Sequence, residues 1–122
     1  MTIRSLARFG ASLAFAVSAT AAFAHAQLEK AVPAVGGTVS SPSEIRLEFS
    51  EGVEPRFTGV ALTSASGAAI PLGKSAVAPG DNKVLIIKIG KPLPSGVYTV
   101  NWHAVSVDTH HTQGSFNFTV AP

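Results

Sequence analysis

Hydrophobic and polar positions alternate with a period of two over much of the chain. Ile45, Leu47 and Phe49 are interleaved with Arg46 and Glu48, the pattern of a strand with one face buried and one wet. Val97 to Val105 alternates again, with Tyr98, Val100 and Trp102 on one face, and Ser115 to Val120 puts Phe116, Phe118 and Val120 on one face. Val84 to Ile89 (VLIIKI) is a short β-branched run suited to a central strand. Phe57 to Thr63 is a further strand candidate, loosened by Gly59. After the first two dozen residues, no segment sustains a helical period.

Turn chemistry separates these runs. Gly36-Gly37, Ser41-Pro42-Ser43, Ser66-Gly67, Pro79-Gly80-Asp81-Asn82 and Pro92 to Gly96 all mark loops. Short strands between such signals predict an all-β fold, a compact sandwich or Greek-key barrel. Its expected core contains Phe49, Val60, Leu62, Ile86, Val100, Trp102, Phe116 and Phe118.

The N-terminus follows a different pattern. Arg4 and Arg8 precede an uncharged, alanine-rich stretch, Gly10 to Phe23, and Ala22-Phe23-Ala24 forms an A-x-A processing site. The apolar run is short and weak beside the ~20 residues of a membrane span. It is read as a secretory signal over residues 1–24, leaving a single domain over 25–122. Ala24-His25-Ala26 is a second A-x-A, and a cut there would leave Gln27 first. The earlier cut better fits an apolar pattern.

Losing residues 1–24 removes two of nine Lys and Arg, so the mature domain balances seven basic against seven acidic residues. No basic patch points to nucleic acid, and no second apolar run points to membrane insertion. The chain has no cysteine, and its sole methionine is Met1. A mature domain without sulfur excludes soft Cu(I) sites, zinc–thiolate sites and iron–sulfur clusters. Imidazole, carboxylate and amine donors remain.

Four histidines supply the imidazoles: His25, His103, His110 and His111. Cleavage after Ala24 would make His25 the first residue, with a free α-amine and a ring Nδ1 able to chelate one metal. The amine has a reference pKa of roughly 7.7–8.0, so the metal must displace a proton. Cu(II) heads the divalent series at nitrogen and oxygen sites. The plainer reading of His25 is a polar residue beside a processing site. Asp108 and His110, two apart, point to one side of an extended segment, with His111 on the other. Together they can offer an oxygen and a nitrogen, or form a solvated turn. Glu51 follows the Ile45–Ser50 run; it is a solvated acid, or an acid beside the amine or at an axial metal position. Glu54, ahead of Pro55, has a weaker claim. His103 alternates away from the Trp102 face and is exposed or supports a neighbouring ligand.

These residues, in this order, resemble the CopC family of periplasmic copper-binding proteins. The resemblance runs through His25-Ala26, Pro33-Ala34-Val35-Gly36, Phe49-Ser50-Glu51, Tyr98-x-Val100-x-Trp102, Val105-Ser106-x-Asp108-x-His110 and Gly114-Ser115-Phe116-x-Phe118. It implies an immunoglobulin-like Greek-key barrel or sandwich of about seven strands. It also implies one Cu(II) per chain in an N-terminal histidine brace. His25 would give its amine and Nδ1, His110 a third nitrogen and Asp108 an oxygen, with Glu51 at or beside the site. Three nitrogens and an oxygen suit a tetragonal Cu(II) centre that lets its metal go on reduction.

Two features depart from the family. The methionine-rich loop that gives some members a Cu(I) site is missing, which implies a Cu(II)-only form. His103 stands where many relatives carry arginine; bonded to Asp108, it would make copper affinity more sensitive to pH. The resemblance implies a non-enzymatic periplasmic carrier or buffer, with a CopD-type inner-membrane copper transporter as partner; a monomer is the simplest expectation for its oligomeric state. A lytic polysaccharide monooxygenase also uses a histidine brace, but 98 mature residues with one Trp and one Tyr offer little for a flat aromatic substrate face. A metal-free immunoglobulin-like interaction module is the third reading.

Overall fold

The computed structural model describes residues 25–122; the expected signal segment, residues 1–24, lies outside the described residues. Nine strands follow in order: β1 (Leu28–Val32), β2 (Thr38–Val39), β3 (Glu44–Phe49), β4 (Gly59–Ser64), β5 (Ala69–Ile70), β6 (Ala76–Ala78), β7 (Asp81–Lys88), β8 (Gly96–Val105) and β9 (His111–Val120). Three of these are fragments of two or three residues, so the count exceeds the expected seven without altering the architecture. Among the described residues no helix is long and apolar enough to cross a membrane.

The strands form two sheets, ordered β1-β3-β7-β6 and β2-β9-β8-β4-β5. β3 pairs with β7 although the chain visits β4 and β5 of the other sheet between them. Such crossings make the Greek-key sandwich. The longest pairing, β8 with β9, runs antiparallel from Gly96↔Val120 to Val105↔His111. Tyr98 donates its hydroxyl proton to Pro94 O at 2.7 Å and stacks on Phe118, fastening the entry to β8.

Inward residues from both sheets form one core. Ile45, Leu47 and Phe49 of β3 and Leu85 and Ile87 of β7 face Leu62, Val100, Phe116 and Phe118, all buried. Val60 and Trp102 pack against this cluster from its margin. Trp102 enters because Gly114, its cross-strand partner, has no side chain. A Cβ there would stand 2.6–2.9 Å from three indole atoms. The indole then meets Phe49 edge-on, with ring centroids 5.4 Å apart.

Two sequence expectations change, and the edge strand β1 joins those that were expected. Ile86 is half-buried, and its neighbours Leu85 and Ile87 point inward instead. An uninterrupted apolar run carries no alternation from which to read its register. Phe57 belongs to a turn closed by its N–H on Glu54 O, is 60% exposed, and precedes β4 rather than opening it. β1 was not predicted, because Glu29 and Lys30 interrupt its pattern at a register shift. It is an edge strand, where charges are tolerated and discourage pairing with other chains.

Candidate metal centre

The antiparallel register puts the start of β1 beside the end of β3, through Leu28↔Phe49. The β8–β9 turn reaches the same end of the sandwich: Glu54 N–H donates to Val105 O at 2.8 Å and Val107 N–H to Gly52 O at 3.0 Å. Three segments distant in sequence, 25–27, 50–54 and 105–112, thereby become neighbours.

The β8–β9 turn is built by Ser106. Its N–H donates to His110 O at 2.9 Å, and its carbonyl accepts Thr109 N–H at 2.8 Å. Val107, Asp108 and Thr109 are left as a three-residue hairpin loop. Thr109 has φ of 75°, the left-handed conformation usual for the last residue of such a loop. A β-branched residue adopts it at a cost. The hydroxyl of fully buried Ser106 donates to Asp108 Oδ1. His110 N–H reaches that oxygen at 3.3 Å, and His110 Nδ1 lies 3.1 Å from Asp108 Oδ2. The Ser106 hydroxyl, followed by the ring and amide of His110, holds the Asp108 carboxyl below the usual carboxylate range, against an opposing desolvation effect.

The N-terminal segment supplies the second imidazole. The His25 and His110 rings meet edge-on, centroids 4.5 Å apart at 79°. Ala26 next to it is 0% exposed and belongs to the core. Ser50 N–H donates to Gln27 O at 2.8 Å, Gln27 N–H to Ser50 Oγ at 2.9 Å, and Ser50 Oγ to His25 O at 3.4 Å. From the other sheet, Thr112 Oγ1 donates to Ala26 O at 2.8 Å. Glu51 is half-buried. It lies between Ser50, bonded to the N-terminal segment, and Gly52, bonded to Val107.

The geometry thus brings His25, His110 and Asp108 together and sets Glu51's backbone between their two segments. Among the described residues, however, no three His, Asp or Glu side chains are set to hold a metal ion. In the full chain the His25 nitrogen is a peptide amide, and the Asp108 carboxylate faces Nδ1 of His110. Two donors at right angles on one metal, each about 2.0–2.2 Å from it, stand about 2.9 Å apart. The Nδ1–Oδ2 separation of 3.1 Å is close to that. A metal replacing the proton between them would meet both donors at once.

His103 and His111 stand apart from this group. Both are exposed and line an outer groove with Phe57 and Val107. The His103 ring lies beside Gly59, where an added Cβ would stand 3.3 Å from its Cε1, whereas the partners of Asp108 are Ser106 and His110. The condition for a pH-sensitive copper affinity, a hydrogen bond from His103 to Asp108, is not met among the described residues. Glu54 lines the same outer groove. The sequence reading missed Ser50, Ser106 and Thr112. Ser50 and Ser106 lie inside the motifs that carry the resemblance, but no spacing rule assigns them these contacts.

The CopC domain profile matches residues 28–121. The chain belongs to the CopC family. Copper resistance protein C of Escherichia coli is 40% identical over 109 residues, covering 84% of this chain and 86% of its own. Protein YobA of Escherichia coli strain K12 is 38% identical over 120 residues, covering 98% of this chain and 97% of its own. The crystal structure of PcoC, a methionine-rich copper resistance protein from Escherichia coli, superposes with a TM-score of 0.71 at 39% identity. The match covers 80% of this chain and all of that one. The fold is therefore that of the CopC sandwich, in a family of copper resistance proteins. This chain keeps that fold with no methionine beyond Met1.

Proposed function

We propose that the mature chain, beginning at His25, is an exported, non-enzymatic Cu(II) carrier that buffers periplasmic copper and binds one ion as a monomer. The observation that carries this reading is the edge-on approach of His25 to His110, whose Nδ1 faces the Asp108 carboxylate at 3.1 Å. His25 contributes its amine and Nδ1, His110 its Nδ1, and Asp108 an oxygen; Glu51, by the family resemblance, belongs at or beside the site. Copper is the cargo, and this chain's part is to present nitrogen and oxygen donors that favour Cu(II). Without sulfur the site binds Cu(I) poorly, so reduction releases the ion. A CopD-type transporter of the inner membrane is the recipient.

Burial of Ala26 supports cleavage after Ala24. A cut after Ala26 would remove a fully buried core residue along with the carbonyl that Thr112 holds. The test is titration of the protein starting at His25 with Cu(II), followed by the fluorescence of Trp102. One equivalent should bind, and His25→Ala and His110→Ala should each weaken binding by more than ~100-fold. Loss of outer partners alone costs 10–100-fold, which sets the floor for a direct ligand. Tight binding that survives both substitutions would overturn the reading.

A further inference from the structure

We propose that Thr112 is the positioning residue that sets the N-terminal histidine against the Asp108–His110 pair. Copper affinity then depends on a hydroxyl that never touches the metal. The inference rests on the copper reading above.

The candidate ligands come from different sheets. His110 stands directly before β9, whereas His25 precedes β1 of the other sheet. The Ser50 hydrogen bonds on residues 25–27 tie that segment to the end of β3, in the sheet to which β1 belongs. Among the described residues, the Thr112 hydroxyl gives the segment its one hydrogen bond to the sheet that carries His110. It spans 86 positions at 2.8 Å. Thr112 is two residues from His110, and the carbonyl it holds is one residue from His25.

The position suits the task. Thr112 pairs with buried Ala104 on the inward face of β9 and is half-buried itself. The Ala26 side chain, in the core, prevents the segment from sliding, and the Thr112 bond fixes how it is turned. With both constraints in place, the metal-free protein already holds the two imidazoles adjacent. Binding then orders little that was free, and such pre-organisation appears as affinity. Without the hydroxyl, the His25 end would be held to β3 alone and would swing relative to the hairpin.

The test uses three proteins that begin at His25: wild type, Thr112→Val, which keeps the shape but lacks the hydroxyl, and Thr112→Ser, which restores the donor. Cu(II) affinity is measured by competition with a chelator, the ligand field by EPR, and the metal-free state by amide exchange at residues 26–28. Thr112→Val should weaken Cu(II) about 10-fold or more, the range seen for outer partners of metal ligands. It should also alter the EPR spectrum and speed exchange at 26–28. Thr112→Ser should stay near wild type in all three.

Wild-type affinity and spectrum in Thr112→Val would overturn the proposal, even with a lowered Tm, because the hydroxyl would then serve the fold alone. Equal weakening by Val and Ser would also overturn it, since packing of the methyl group would be the cause. A wild-type protein that binds no Cu(II) would instead refute the copper reading beneath it.

Discussion

Gly114→Ala should destabilise the domain through a contact that the β8–β9 register imposes. The added Cβ would stand 2.6 Å from Cζ2, 2.8 Å from Cε2 and 2.9 Å from Nε1 of Trp102. Ordinary carbon contacts lie at about 3.5–4.0 Å, so the indole must withdraw by roughly 1 Å. Its retreat is blocked by Phe49, 1% exposed and 5.4 Å away between ring centroids. Forcing extra volume into such a place costs about 1–3 kcal/mol. At about 2 kcal/mol, a domain of this size loses about 8–16 °C in Tm. Calorimetry measures the loss, and near-ultraviolet circular dichroism of the single tryptophan reports the displaced ring. Gly90→Ala is the control, because nothing lies within 4 Å of a Cβ there. A Tm for Gly114→Ala equal to that of the control, with an unchanged Trp102 signal, would refute the packing argument.

Thr109→Asn should raise stability by about 1 kcal/mol, because asparagine accepts the left-handed φ of 75° that threonine resists; thermal unfolding of the metal-free protein checks this. Asp108→Asn should change the acid limb of stability. The lowered pKa of Asp108 means its ionised form stabilises the fold above the unfolded value near 3.9. That contribution is lost as pH falls through the folded value. The Tm gap between wild type and Asp108→Asn should therefore be widest above about pH 5 and close below about pH 4; a gap independent of pH would contradict it.

The strands whose inward face the sequence revealed are those with an alternating wet face. In β3, Arg46 and Glu48 mark the solvent side between Ile45, Leu47 and Phe49, and the structure buries those three residues. β8 behaves likewise. In β7, apolar residues fill successive positions, so the inward set of Leu85 and Ile87 could not be told from Ile86. The site was legible in part. Asp108-x-His110 was visible as a local pair, and His25 was distinguished by its place beside a processing site. Ser50, Ser106 and Thr112 were not legible, because a hydroxyl acquires its role from contacts formed only in the folded chain. Thr112 bonds a carbonyl 86 positions away, and no local pattern encodes that.

The proposed site stands or falls on the amine of His25 acting as a ligand itself. Two proteins decide it, one beginning at His25 and one carrying Ala24 ahead of it, each with its first residue verified by mass. Extra length at an exposed terminus leaves the fold and both imidazoles intact but turns the amine into a peptide nitrogen. The added residue should weaken Cu(II) by more than ~100-fold and change the nitrogen couplings in the EPR spectrum. Equal affinity and identical spectra in the two proteins would contradict it.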